Sequence, residues 1–180
     1  MFELSHGLAL VPLIGMALWW RKLPQPVKSR YWFLAVAFFM SGVGDTLVKA
    51  LGDGWGTTQR VWVPFQIGLA LWAYIEDATH RAVVFFGLLG ATVLSLQIPG
   101  PDIILTVGGS MLVMKVAKGR SMFPVWIYFW FGTIAYVFMA LHATPGDAMF
   151  GPAWTAYQIC RLTAYATFVI VLFAKTREAA

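Results

Sequence analysis

Residues 28–51 read KSRYWFLAVAFFMSGVGDTLVKAL, and residues 118–141 read KGRSMFPVWIYFWFGTIAYVFMAL. At an offset of 90 they match at Lys28/Lys118, Arg30/Arg120, Phe33/Phe123, Phe39/Phe129, Gly42/Gly132, Ala50/Ala140 and Leu51/Leu141. Each opens on a Lys-x-Arg pair and then stays mostly apolar for about 20 residues, the length a helix needs to cross a bilayer. The likeness continues outward. At an offset of 92, WVPFQI (62–67) falls on WTAYQI (154–159), matching Trp62/Trp154, Gln66/Gln158 and Ile67/Ile159. At an offset of 94, Gly15 and Leu18 fall on Gly109 and Leu112. Matches of Phe, Ala and Leu are cheap in a chain that is 59% hydrophobic, but the basic pair and the two glutamines are not. The offset drifts only in the connecting segments, where insertions are tolerated. The pattern is that of an internal repeat.

Only 12% of the 180 residues are charged, and the mean hydropathy is +0.71. A soluble domain carries about a quarter charged residues, so the composition implies an integral membrane protein of one compact domain. The formal net charge of +5 does not point to nucleic acid, because the positive residues sit in short loops between apolar runs. The single cysteine, Cys160, excludes an intramolecular disulfide. With His6, His80 and His142 scattered, it gives no metal-ligand spacing. No cofactor is expected. Glu3 precedes the first apolar run, so that run reads as a retained helix rather than a cleaved leader.

Seven apolar segments follow: Leu4–Trp20, Tyr31–Leu51, Val61–Ile75, Ala82–Ile98, Ile103–Val116, Met122–Leu141 and Phe150–Ala174. The third and fifth are short for spanning helices and must borrow flanking residues. Pro99, Gly100 and Pro101 break the chain between the fourth and fifth. Arg21, Lys22, Lys28 and Arg30, then His80 and Arg81, then Lys115, Lys118 and Arg120, then Lys175 and Arg177 mark one side. Asp53, Arg60, Asp102 and Asp147 mark the other. The positive-inside bias places the N-terminus outside and the C-terminus in the cytoplasm. The expected architecture is therefore all-α: a first three-helix repeat (1–78), a linking helix (79–99) and a second, parallel three-helix repeat (100–180). In parallel repeats the solute site tends to lie near the midplane, at the repeat interface.

The stretch MKVAKGRSMFPVW (114–126), followed by an aromatic helix carrying Gly132, resembles the junction between the first two helices of the repeat in SWEET (MtN3/saliva) and PQ-loop transporters. This resemblance implies a 3+1+3 transporter fold and a central solute pathway. Pro24-Gln25 falls within a basic loop, RKLPQPVKSR, without an equivalent in the second half. The chain contains no Asn, so the pore asparagines of that family have no counterpart. Opsin-like proteins share the seven-helix plan, but Arg161 of the last helix cannot form their retinal Schiff base.

Polar residues inside apolar helices are costly and mark pathways or pairing. Asp45 and Lys49 lie four apart on one face of the second helix, and Ser41 continues that stripe. Counting from Tyr31, Asp45 is roughly 21 Å deep at ~1.5 Å per residue. Asp45 is expected either to couple protons or to hold charge balance with Lys49 or Arg161. Gln66 and Gln158 are expected to face each other across a central cavity, where an amide offers two donors and an acceptor to a polar solute. The alternative for each is interhelical packing glue. Trp154, Gln158, Arg161 and Tyr165 form one helical stripe. Arg161 would then either grip an anionic group or pair with Asp45. Trp62 and Trp154 would stack on a ligand or anchor their helices at the interface. Glu76, Asp77, His80 and Arg81 read as a solvated connection.

The function these features favour is a membrane carrier or facilitator for a small polar solute, alternating access between two three-helix bundles. Gln66, Gln158, Trp62, Trp154, Arg161 and Tyr157 would bind the solute, and Asp45 with Lys49 would set charge or coupling. The expected partners are the lipid bilayer, the solute and, where Asp45 titrates, protons; the assembly is a monomer or a homo-oligomer in a plasma or inner membrane. Two alternatives stand beside it. SGVGDTLVKAL (41–51) is loosely similar to the Gly-Asp segment of lysoplasmalogenase-type membrane hydrolases, which would make Asp45 with Tyr157 or Arg161 an acid–base site on lipid. A non-catalytic subunit of a membrane complex would use the Trp and Phe residues for packing alone.

Overall fold

The computed structural model describes residues 7–51, 57–97, 101–117, 123–142 and 146–178. Within α2 the side chains of Asp45 and Lys49 lie outside the described residues, as do His6 and the side chain of Arg60. Every regular element among the described residues is helical. They are α1 (Val11–Trp19, continued by a 3₁₀ turn at Trp20–Lys22), α2 (Gln25–Leu51), α3 (Thr57–Trp72), α4 (Ala78–Gln97), α5 (Pro101–Ala117), α6 (Phe123–Leu141) and α7 (Phe150–Glu178). Two of them, α6 and α7, are long and apolar enough to cross a membrane. Shorter apolar stretches run through α3 (Val61–Trp72), α4 (Ala78–Leu94) and α5 (Ile103–Ala117).

Where the helices extend beyond the apolar segments, they do so over charged turns. The second begins at Gln25 rather than Tyr31, because the basic stretch PVKSR is itself helical. Pro26 lies in its first turn, where a missing N–H costs nothing. The last continues past Ala174 to Glu178. Lys175 and Arg177 there complement the C-terminal end of the helix dipole.

Six helices close a ring. α1 packs on α2 and on α7, α2 on α3, α3 on α5, α5 on α6, and α6 on α7. α4 lies outside the ring, mainly against α3, and most of its residues are exposed. Two glycines mark where one triplet of the ring meets the other. A Cβ on Gly15 of α1 would sit 3.3 Å from Leu172 Cδ1 of α7, and one on Gly109 of α5 would sit 2.6 Å from Ile67 Cδ1 of α3. These two glycines are the pair matched at the offset of 94. Small residues there let the helices approach closely.

Phe38 of α2 fills the centre, fully buried, with ring centroids 5.2 Å from Tyr128, 5.9 Å from Tyr165 and 5.5 Å from Phe168. Such tilted and edge-on aromatic pairs add about 0.5–1.5 kcal/mol each beyond area burial. In α6 the six residues Ile127–Gly132 form a π-helical stretch between ordinary α-helical turns. Its i→i+5 bonding is rare and often sits beside functional sites.

Candidate functional site

Between α2, α3, α5, α6 and α7 lies a small cavity of about 40 Å³. A water needs roughly 10–15 Å³ measured this way, so the space suits a few waters. Its polar lining is Ser41, Gln66, Thr106, Ser110, Tyr128, Thr133, Tyr136 and Tyr157, and its apolar walls include Trp62, Ile67 and Phe129. No carboxylate, imidazole, thiol or ammonium is among the described lining residues. Seven hydroxyls and an amide make a surface that both donates and accepts hydrogen bonds without fixing a charge.

The elements that hold these groups follow from local sequence. Thr106 and Ser110 are four apart on α5 and share a face. Tyr128, Gly132 and Tyr136 are spaced by four on α6. Two cross-helix hydrogen bonds tie the lining together. The Gln66 amide Nε2 donates to the Tyr128 hydroxyl. The Thr133 hydroxyl donates to Ser110 Oγ at 2.8 Å. Trp62 is seated by a hydrogen bond from its indole Nε1 to the Met40 carbonyl. It is also seated by Gly44, where any Cβ would meet the indole at Cδ1.

Of the six expected binding residues, the structure brings Gln66, Trp62 and Tyr157 to this cavity. Trp154, Gln158 and Arg161 do not line it. Trp154 stacks on Phe150 at 6.4 Å and 18° and belongs with Tyr157 to a separate cluster around Tyr136 and Met139. Both amide atoms of Gln158 are buried without a hydrogen-bond partner among the described residues. The repeat offers a reason. At offsets of 92 and 90 the counterparts of Gln66 and Tyr128 are Gln158 and Phe38, and Phe38 has no hydroxyl to offer.

Arg161 is fully buried on α7. Its Nε donates to the Tyr165 hydroxyl at 3.2 Å, and the guanidinium lies 5.4 Å from the Tyr157 ring centroid and 6.0 Å from that of Tyr165. Tyr165 in turn donates to the Phe38 carbonyl at 3.1 Å. Two aromatic faces and a hydroxyl suit the weakly hydrated, planar guanidinium better than they would an ammonium. The Tyr157 ring therefore presents one side to Arg161 and lines the cavity as well. The expected pairing with Asp45 falls on a side chain outside the described residues, as does the role expected of Lys49.

No protein-family model, curated protein or solved structure matches the chain. Its chemistry is therefore read from these residues alone. The cluster at residues 76–81 illustrates how. Asp77 caps α4, its Oδ1 accepting the His80 backbone N–H at 2.8 Å, and this bond together with the His80 side chain holds the carboxyl below its usual range. Arg81 donates from Nε to the Ile75 carbonyl at 2.7 Å and lies over the Phe33 ring. Asp77, His80 and Arg81 close a helix junction. At the other loop, Asp147 Oδ1 accepts the Met149 N–H at 2.8 Å and Oδ2 meets His142 Nδ1 at 2.9 Å. Both contacts lower the Asp147 pKa.

Sequence reading passed over Tyr128, Thr106, Ser110, Thr133 and Tyr136. Ser and Thr are common in apolar helices, where they bond back to their own turn, and so carry little signal. Tyr128 had one: in the offset-90 alignment it is the hydroxyl that stands opposite Phe38.

Proposed function

We propose that the protein is a multi-pass membrane carrier in which α1–α3 and α5–α7 form two three-helix bundles around a central site for a small polar solute. The observation that carries this is the hydroxyl- and amide-lined cavity enclosed by the ring, with Ser41 and Gln66 from the first triplet and Thr106, Ser110, Tyr128, Thr133, Tyr136 and Tyr157 from the second. Buried hydrogen-bonding groups are costly when left without partners, and a polar occupant would supply them. The outward surface suits a bilayer: Ile14, Leu18, Phe86, Ile104, Phe123, Leu141 and Ile170 are all more than half exposed. Contiguous exposed apolar surface of this kind belongs against lipid. The matched glycines at the two junctions, Gly15 and Gly109, let the triplets pack closely along the seams where a carrier of this plan would rock. A solute larger than a few waters would enter as those junctions part.

The test is solute flux from proteoliposomes for a panel of polyols, sugars, amides, amino acids and salts. Wild type is expected to pass one neutral class, and the Gln66→Leu/Tyr128→Phe variant, checked for folding, is expected to lose it. Absence of flux for every class from monodisperse protein would overturn the carrier.

A further inference from the structure

The indole of Trp62 is a wall of two spaces. One is the polar cavity. The other is an apolar groove of about 390 Å³ between α3 and α4, to which Phe65, Gly68, Trp72, Phe85, Leu89 and Thr92 contribute. The groove follows α3 from Val61 to Trp72, about 16 Å at ~1.5 Å per residue. Trp62 is thus the side chain common to an outer apolar groove and a buried set of hydrogen-bonding groups. The second groove, between α5 and α6, is divided from the cavity by more: the Thr133–Ser110 hydrogen bond and the Phe129 ring.

We propose that the groove and the cavity together bind a single-chain amphiphile, with its alkyl chain along α3 and α4 and a small uncharged head, a hydroxyl or an amide, past Trp62 among Gln66, Tyr128 and Ser41. This rests on the polar cavity being the solute site of a membrane protein, and it names the class of solute. The occupant is a chain rather than a helix. An alkyl chain can lie along the apolar side chains from Val61 to Trp72 while its polar end reaches the hydrogen-bonding groups that Trp62 also borders. A hydroxyl or amide head matches the hydroxyls and the Gln66 amide that line the cavity. An unpaired carboxylate or ammonium would be desolvated there at a cost of several kcal/mol. A hydroxyl head would instead accept from one neighbour and donate to the next. Ser41 Oγ is buried beside the Tyr128 hydroxyl and adds an acceptor to the lining. Trp62 has a defined resting place, held by the Met40 carbonyl and the space at Gly44, so its displacement is a discrete step.

The experiment uses the intact protein in lipid nanodiscs and a medium-chain primary alcohol carrying a mid-chain diazirine, beside the alkane of equal length with the same photoreactive group. Crosslinked peptides are expected from α3 and α4, competed by unlabelled alcohol. The preference for alcohol over alkane is expected to be about tenfold, as one buried hydrogen bond of ~1.4 kcal/mol gives. Leu89→Trp, at the half-exposed rim, should fill the groove and cut labelling several-fold with the melting temperature unchanged. Gln66→Leu should leave labelling of the groove but erase the preference for the alcohol. Even labelling of all exposed helices, or equal labelling by alkane and alcohol, would overturn the proposal, since bulk lipid does the same. Solute flux without alcohol-specific labelling would also sink it and leave the carrier standing. Alcohol-specific labelling without flux would keep this site and remove the carrier.

Discussion

Replacing either glutamine with leucine separates the two halves of the ring. Gln66 and Tyr128 are 8% and 7% exposed, and the amide donates to the phenol. Gln66→Leu removes a hydrogen bond with a net worth of about 1 kcal/mol and leaves a buried hydroxyl short of a partner, which costs about 1–3 kcal/mol more in a soluble core. Interhelical bonds within membranes average nearer ~0.6 kcal/mol, with a maximum of about 1.7. The expected loss is therefore about 1–2 kcal/mol. Gln158→Leu has the opposite sign. It deletes two buried amide atoms that have no partner among the described residues, so stability is expected to hold or to rise by about 1 kcal/mol. At roughly 2–4 °C per kcal/mol for a chain of this size, a difference of about 1–3 kcal/mol should set the two variants about 2–12 °C apart. The natural reporter is Cys160, the single cysteine, half-buried on α7. Its reaction with a fluorogenic maleimide during a thermal ramp in mild detergent follows unfolding. Adding Tyr128→Phe to Gln66→Leu should recover most of the loss, because both partners are then apolar. Equal destabilisation by the two single variants, or a larger loss from Gln158→Leu, would refute the asymmetry between the halves.

Gly44→Ala places a methyl group against the Trp62 indole, so the α2–α3 junction should lose about 1–3 kcal/mol as an overpacked contact does. The thermal ramp reads it, and Trp62→Phe in the same background should restore part of the loss. At the loop before α7, the Asp147 carboxyl is held below its ordinary range, chiefly by the Met149 N–H and then by His142. A group whose folded pKa is depressed contributes stability that is present above the unfolded carboxylate value of about 3.9 and is lost as pH falls through the folded value. Hydrogen exchange at the Met149 amide should therefore quicken, after correction for intrinsic rates, as pH is lowered below about 4. In Asp147→Asn that dependence should vanish.

The seven helices were legible because apolar runs of near-spanning length alternate with basic or Gly/Pro breaks. The positions of Pro99–Pro101 and of the Lys-x-Arg pairs fixed their number. Their ends were less legible, since apolarity ignores charged first turns such as PVKSR and charged last turns such as KTRE. Asp77 is the exposed connecting residue the sequence implies, and its spacing to His80 also makes it an N-cap. At the site, Gln66, Trp62 and Tyr157 were visible because a Gln or paired aromatic in a matched segment stands out. The Thr and Ser residues of α5 and α6 were not, because a hydroxyl in an apolar helix has the same sequence appearance whether it faces a cavity or its own carbonyl. The different surroundings of Gln66 and Gln158 came from residues elsewhere, Tyr128 against Phe38, and required the two segments to be compared rather than read singly.

The wide turn of α6 at Ile127–Gly132 bears on how such a chain can change over generations. Loss of one residue inside an ordinary α-helix rotates everything beyond it by about 100°, because 3.6 residues make a turn. That would carry an inward stripe out of the ring. A π stretch already holds more residue per hydrogen-bonded ring than its neighbours. A deletion there can be absorbed by reverting to i→i+4 bonding, with both flanks keeping their facing. The residues bordering the polar cavity thus include the place in the ring best able to gain or lose length, so the spacing of Tyr128, Thr133 and Tyr136 is open to retuning where other helices are locked in phase.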